Sequence, residues 1–274
     1  MTTTMLSIDA IAAECLAGLE GGPSLTPFTE RVPGFELAQA YRVTASLRGL
    51  REARGDRRVG RKIGFTNRTI WAEYGVYAPI WGDMWDTTVR DLADCAAGVP
   101  LARFAEPRIE PEIAFALARA PEPGMDEAAL LGCVEWIAHG FEIVQSPFPG
   151  WRFGAPDTVA VGGLHGACLL GPRHAPHAGD AATWLTALAG FTITLARDGV
   201  AIDRGRAANV LDGPLSALKH LVGQLALDPG NPPLAAGEIV TTGTLTRAFP
   251  VAPGETWHTA LDGLPLDGIS IRFV

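Results

Sequence analysis

The sequence predicts an α+β fold, and three observations carry the prediction. Apolar alternation marks several strand-like segments and helical spacing marks a few others, and the two kinds follow one another without a regular βαβ rhythm. The 274 residues are 47% hydrophobic, enough to bury a sizeable core. The 32 glycines and 21 prolines are spread along the whole length, a sign of many turns between short elements, not of a disordered tail.

Taken in order, residues 8–19 read as a short helix that starts at Ser7 or Asp9 and stops at "GLEGGP". A longer helix fits "FELAQAYRVTASLRGLREARG" (35–55), with Leu37, Tyr41, Leu47 and Leu50 near helical spacing and Gly55 as the stop. "VGRKIGFTN" (59–67) is short and strand-like, a short helix follows over "RTIWAEYG" (68–75), and "APIWGDMWDTTV" (78–89) reads as an ordered loop or strand edge. "RIEPEIAFAL" (108–117) and "GFEIVQS" (140–146) alternate as strands, with a helix expected over 126–138 between them. "GACLLG" (166–171) is strand-like, and "FTITLARDGVAI" (191–202) carries an Asp-Gly pair typical of a hairpin turn. "PLSALKHLVGQLAL" (214–227) is an amphipathic helix; "EIVTTGTLT" (238–246), "AFPVAPGE" (248–255) and "GISIRFV" (268–274) read as strands and turns. The expected organisation is a mainly helical region over 1–60 and a β-rich core over 61–274, forming one compact unit.

Composition excludes several classes. The formal net charge is -8 and no Lys/Arg-rich block occurs, which speaks against nucleic acid as a partner. Neither GxGxxG nor a Walker motif is present, so nucleotide cofactors have no support. No basic leader or membrane-length apolar run is found, and Cys15, Cys95, Cys133 and Cys168 form no CxxC pair. A soluble cytoplasmic protein with reduced thiols is expected, with no membrane partner.

Of 22 basic side chains only Lys62 and Lys219 are lysines. Arginine keeps its proton at any working pH, whereas a lysine can be tuned to give and take one, so a rare lysine marks a possible chemical task.

The carboxylates are more specific. On a strand over 108–117, Ile109, Ile113, Phe115 and Leu117 share one face and Glu110, Glu112 and Ala114 the other. The two glutamates would lie about 6–7 Å apart, which costs little on a solvated face. Glu142, flanked by Phe141 and Ile143 in a second apolar strand, is less naturally solvated. Three carboxylates brought together in a partly buried pocket would need a divalent cation, and oxygen-only ligation suits Mg²⁺ or Mn²⁺ better than zinc. The residues alone do not make the two strands neighbours, so both readings stay open at this point.

The segments "GRKIGFTN", "IEPEIAFAL", "FEIVQS" and "VTTGTLTRAFPVAPGE", in this order and spacing, resemble the 2-keto-4-pentenoate hydratase / 4-oxalocrotonate decarboxylase family of the fumarylacetoacetate hydrolase superfamily. The similarity runs from about residue 35 to the C-terminus. It implies a mixed β-sandwich or roll of the fumarylacetoacetate hydrolase C-terminal type, with a small N-terminal helical or α/β region. By resemblance Glu110, Glu112 and Glu142 take the metal-ligand positions, for Mg²⁺ or Mn²⁺, and Lys62 takes that of the catalytic KIG lysine. Gly64, Arg108, Thr242, Gly243 and Thr244 fall at substrate-binding positions, and Arg61 is a weaker candidate for attracting an anion.

The implied activity is a metal-dependent lyase of short unsaturated 2-oxo acids, with hydration of a 2-hydroxydienoate to a 4-hydroxy-2-oxo acid as the leading reaction. Decarboxylation of a 2-oxo-3-enedioate is the alternative, a C–C bond hydrolase stands third, and a non-catalytic partner subunit or metabolite binder is the reading of another class. The resemblance also implies a homo-oligomer, with association of hydratase and decarboxylase in one complex a further option. Burial beside a metal charge is expected to lower the pKa of Lys62.

Two departures from the family pattern stand out. Ile80 occupies a place where those hydratases tend to carry an acidic residue, and "GGLHGACLLG" replaces a serine-containing stretch. His165, Asp83 and Asp86 are candidates for supplying the missing polar group. His174 and His177 form an HxxH in a proline-rich run that reads as a solvated loop.

Overall fold

Ser7 opens the first helix by accepting the Ala10 amide on its hydroxyl at 3.1 Å, and α1 runs Ile8–Leu19. The computed structural model describes residues 6–68 and 71–274. A single turn, α2 (Phe28–Arg31), leads to α3 (Leu37–Ala53), whose start is closed by the Gln39 side chain accepting the Glu36 amide at 2.8 Å. Ile11, Ala12, Cys15 and Leu19 of α1 join Ala40, Val43 and Leu47 of α3 in one buried cluster. Among the described residues no helix is long and apolar enough to cross a membrane.

Strand β1 (Arg58–Gly64) follows, then α4 (Trp71–Tyr74), β2 (Ile80–Trp85), β3 (Val89–Asp91), β4 (Arg108–Leu117), α5 (Glu127–Leu131) and β5 (Val134–Val144). The chain continues through α6 (Ala155–Ala160), β6 (His165–His174), α7 (Ala181–Gly190), β7 (Thr192–Arg197), β8 (Val200–Arg206) and α8 (Pro214–Ala226). It closes with β9 (Ile239–Thr241), β10 (Phe249–Pro250), β11 (Thr256–Asp262) and β12 (Ser270–Arg272).

The strands form two sheets. The larger has the order β2-β1-β9-β4-β5-β6-β3, with β10 paired to β4, and is mixed because β1–β9 and β3–β6 run parallel. The smaller, β12-β11-β7-β8, is antiparallel throughout. Ile109, Phe141 and Ile143 of the large sheet pack with Leu195, Trp257 and Ile271 of the small one. Ile113 and Phe115 continue that face into a cluster with Leu215, Leu218 and Leu221 of α8 and Trp184 and Leu188 of α7. On the other face of the large sheet, Val144 at the end of β5 and Ile80 of β2 join the cluster of α1 and α3. A mixed two-sheet sandwich with a helical N-terminal layer is the predicted α+β architecture.

His139 ties the sheets together. Its Nδ1 lies 2.9 Å from the Glu112 carbonyl and its Nε2 2.8 Å from Thr259 Oγ1 on β11. A carbonyl only accepts, so Nδ1 carries the proton, and Nε2 accepts from the Thr259 hydroxyl, which itself accepts the Ile269 amide at 3.1 Å. Burial lowers the pKa of His139 from 6.5 to about 4, against the hydrogen bond to Glu112.

Several expectations are corrected. The helix expected over 126–138 is α5 alone; Asp126 caps it, Gly132 follows its last residue, and Val134 begins a strand that pairs with β4, with one register shift between Ala116 and Leu117. Of the two readings of 78–89 the strand edge holds and the loop does not: β2 is the outermost strand of the large sheet, pairs with β1 and is buried at every position. The helices α2, α6 and α7 and the strand β11 carried no expectation. Within 68–75 helix spans Trp71–Tyr74, while Thr69 and Ile70 lie outside the described residues. The Asp198-Gly199 hairpin is as expected, with φ of 50° and 81°, the positive pair that a type I′ turn requires.

Candidate active site

The register of β4 against β5 sets Glu110 directly opposite Glu142, and the two-residue strand period puts Glu112 on the same face. One carboxylate oxygen from each of the three lies within 4.8 Å of the others. Glu112 and Glu142 are buried and Glu110 is half-buried.

Lys62 enters from β1, where it pairs with Gly82 on one side and Thr241 on the other. Its Nζ lies 3.2 Å from Glu142 Oε2 and donates to the Gly163 carbonyl at 3.0 Å. Three glycines shape its slot. A Cβ on Gly82 would sit 2.1 Å from the Gly162 carbonyl oxygen, and one on Gly163 would sit 2.7 Å from Lys62 Cδ. Gly162 and Gly163 also take φ of 68° and 70°, the left-handed region that favours glycine.

The charges are unbalanced. Burial raises Glu110 to about 7, with Lys62 opposing and Glu142 assisting. Burial raises Glu112 well above the usual carboxylate range, and Glu142 adds to it. For Glu142 burial is outweighed by Lys62 and by the hydrogen bond from His165, so its pKa falls to about 2. Lys62 is shifted up: burial opposes its charge, but Glu142, Glu110 and Glu112 together prevail. The expected lowering of Lys62 is therefore not what the chain's own groups produce.

These residues fit a hard divalent cation. Three oxygen donors converge, Glu112 Oε1 is buried without a hydrogen-bond partner, and one ammonium faces three carboxylates.

Above the cluster opens a cavity of about 280 Å³. Lys62, Glu110, Arg108, Thr244 and Arg247 supply much of its polar lining, and Ile80, Val144, Trp151, Phe153 and Leu164 much of its apolar wall. Arg108 stacks on Trp151 with its guanidinium carbon 4.0 Å from the ring centroid. Gly64 also lines the cavity, where a Cβ would meet Ile80 at 3.0 Å.

The remaining candidates divide. The Thr242 hydroxyl is spent on the Ile113 carbonyl at 3.0 Å, and the Gly243 amide donates to Glu112 Oε2 at 2.8 Å, so these two hold the site together and do not face the cavity. Thr244 does line it. His165 reaches Glu142 Oε1 with Nδ1 at 2.8 Å. Asp83 is not brought to the carboxylates: it is bound by Arg48 at 2.8 Å and Arg61 at 3.1 Å in a buried network that Glu238 completes. The alternation of β1 turns Arg61 away from the face that Lys62 uses, so Arg61 is structural and not an anion attractor. Asp86 sits in a surface pairing with Arg57 at 2.9 Å. The His174–His177 segment lies beyond the cavity lining. Gly163, Thr88 and Trp151 were not singled out; the paired glycines at 162–163 were the available signal for the first.

The fold is shared with fumarylpyruvate hydrolase from Pseudomonas aeruginosa in complex with Mn²⁺ and pyruvate, at a TM-score of 0.52 and 17% identity over 79% of this chain and 89% of that one. That likeness shows the fold alone. No family model matches the chain. It is 31% identical over 263 residues to 2-keto-4-pentenoate hydratase from Burkholderia vietnamiensis (strain G4 / LMG 22486), covering 94% of this chain and 95% of that protein. It also superposes on 4-oxalocrotonate decarboxylase from Pseudomonas putida G7, complexed with magnesium and adipate, at a TM-score of 0.86 and 26% identity, covering 97% of both chains. The chain belongs to the 2-keto-4-pentenoate hydratase / 4-oxalocrotonate decarboxylase family.

Proposed function

We propose that this protein is a divalent-metal-dependent lyase of short unsaturated 2-oxo acids, and that its leading reaction hydrates a 2-hydroxydienoate to a 4-hydroxy-2-oxo acid. The observation that carries the proposal is the meeting of three carboxylates and a buried lysine, two of which, Glu110 and Lys62, line one cavity. Glu110, Glu112 and Glu142 would hold Mg²⁺ or Mn²⁺. The chemistry such an ion supplies when bound is electrophilic stabilisation of negative charge developing on the 2-oxygen of the acid.

The chain's own residues supply the rest. Arg108, braced on Trp151, holds the anionic acid at the cavity. Ile80, Val144, Phe153 and Leu164 pack the hydrocarbon end and keep bulk water off it. Lys62 Nζ, fixed between Glu142 and the Gly163 carbonyl, carries the proton that the substrate carbon takes up or releases.

A second reading is favoured by one observation. Ile80 and Lys62 Nζ lie 3.0 and 3.9 Å from the same point above Gly64, so hydrocarbon stands beside the lysine where hydration needs a polar group to aim water. Loss of carbon dioxide needs no such group, which supports decarboxylation of a 2-oxo-3-enedioate.

The experiment treats purified protein with chelator and follows dienol absorbance of a 2-hydroxydienoate, and carbon dioxide release from a 2-oxo-3-enedioate, with and without Mg²⁺ or Mn²⁺. Metal-dependent turnover of one is expected, and Glu110→Gln, Glu112→Gln and Glu142→Gln should each lose it at low metal. Turnover of neither substrate would leave a metabolite-binding or partner role. We further propose a homo-oligomer working in the cytoplasm, where free thiols such as Cys15, Cys95, Cys133 and Cys168 persist. Light scattering that gives 28.9 kDa, the mass of one chain, would contradict the oligomer.

A further inference from the structure

His165 begins β6, where the pairing with β5 slips. Ala167 faces Ile143, but Val144 is met by His165, so one residue is bulged out of the ladder. Regular alternation from Cys168, the partner of Glu142, would send residue 165 to the opposite face; the bulge returns it to the carboxylates. Gly166 permits this, since a Cβ there would sit 2.6 Å from the Ile143 carbonyl oxygen.

The ring is then held at both ends. Glu142 Oε1 lies 2.8 Å from Nδ1, and a carboxylate only accepts, so Nδ1 carries the proton. Nε2 meets Thr88 Oγ1 at 2.8 Å. Thr88 is itself locked: its hydroxyl receives the Trp85 amide at 3.2 Å and lies 3.0 Å from the Trp85 carbonyl, and its own carbonyl accepts the Cys168 amide at 2.9 Å. Both side chains are buried. With Oε1 occupied, Glu142 has Oε2 left on the side of Lys62, 3.2 Å away.

We propose that His165, keyed by Thr88, is a positioning residue that fixes the rotation of the Glu142 carboxylate and so presents Oε2 to the cation and to Lys62. The inference rests on the carboxylate cage proposed above. His165 touches neither substrate nor cation; it acts through Glu142, as outer partners of ligating groups do.

The test measures Mn²⁺ binding by titration calorimetry alongside turnover in wild type, His165→Leu, His165→Asn and Thr88→Val. Removing the donor in His165→Leu should weaken Mn²⁺ by about 10- to 100-fold. His165→Asn, whose amide can donate from nearly the position of Nδ1, should recover most of the affinity. Thr88→Val keeps the shape and removes the hydroxyl that meets His165 and accepts the Trp85 amide, for a loss of about 3- to 10-fold; it also carries the test if His165→Leu fails to fold, and an affinity unchanged in it would then overturn the role. An Mn²⁺ affinity for His165→Leu within about twofold of wild type, far inside the loss usual for such partners, would overturn the positioning role. So would an Asn variant as weak as the Leu variant. Wild type that binds no Mn²⁺ would overturn the cage itself and this inference with it, so the two failures are told apart.

Discussion

Lys62 is one of two lysines beside twenty arginines, and it lies under three carboxylates with its ammonium on Glu142 and the Gly163 carbonyl. If it supplied charge alone, Lys62→Arg would keep most activity and Lys62→Met would lose it. The slot argues otherwise, because Gly163 closes on the lysine methylenes and leaves little width for a planar guanidinium. Both variants should lose turnover by about 10²- to 10⁴-fold, the range for general acid–base groups, while Mn²⁺ affinity stays near wild type. Steady-state kinetics and calorimetry decide it; an arginine variant close to wild type would leave Lys62 as an electrostatic post. The rarity of lysine, the ExE spacing and the apolar setting of Glu142 made Lys62, Glu110, Glu112 and Glu142 legible in the sequence, and the resemblance joined them as one site. Thr242 and Gly243 were legible only as members of a motif. Their hydrogen bonds run to the Ile113 carbonyl and the Glu112 carboxylate, more than 100 positions away, and no local pattern encodes that. Asp83 illustrates the same limit, since a carboxylate beside a cavity and one inside an arginine network read alike in sequence.

Elements with their own punctuation were recognisable: α1 behind Ser7, the Asp198-Gly199 hairpin and the apolar stripe of α8. The error at 134–138 has a physical cause. "VEWIAH" has no strict alternation, and what makes it a strand is its pairing with β4 and β6 on either side, a tertiary effect that outweighs local preference. Strand β9 is too short to be distinguished from the loop that follows, yet that junction sets the site. Gly243 there takes φ 96°, and a Cβ would lie 2.1 Å from Thr66 Oγ1. Gly243→Ala should therefore cost about 1–3 kcal/mol of stability from backbone strain, read by urea unfolding. The displaced amide should also release Glu112 and weaken Mn²⁺ binding. An alanine variant with unchanged stability and affinity would show that the junction relaxes freely.

At the scale of the whole molecule, the α+β class followed from composition and periodicity, and the two-sheet sandwich followed from the resemblance; which face of the large sheet meets the small one depends on contacts such as His139 to Thr259. That contact predicts an acid response. Above pH 6.5 His139 is neutral in folded and unfolded chains alike. Between 6.5 and about 4 only the unfolded chain takes the proton, so stability is lost as the pH falls; below about 4 the folded form titrates as well and the loss levels off. Glu110 works in the opposite direction, because its raised folded pKa of about 7 makes the folded state the better proton holder as the pH drops. The wild-type curve alone mixes the two, and the variant His139→Gln separates them, since it removes the imidazole and keeps the carboxylates. Measured by urea unfolding in chelator, His139→Gln should be less stable than wild type at pH 7.5, where the imidazole network is intact. The gap should narrow by roughly 2–3 kcal/mol at pH 4.5, the free energy that the pKa shift of His139 represents over that interval. Parallel curves for the two proteins would mean that the folded protein admits the proton at His139 as readily as the unfolded chain does, and that the sheets part there to let water in.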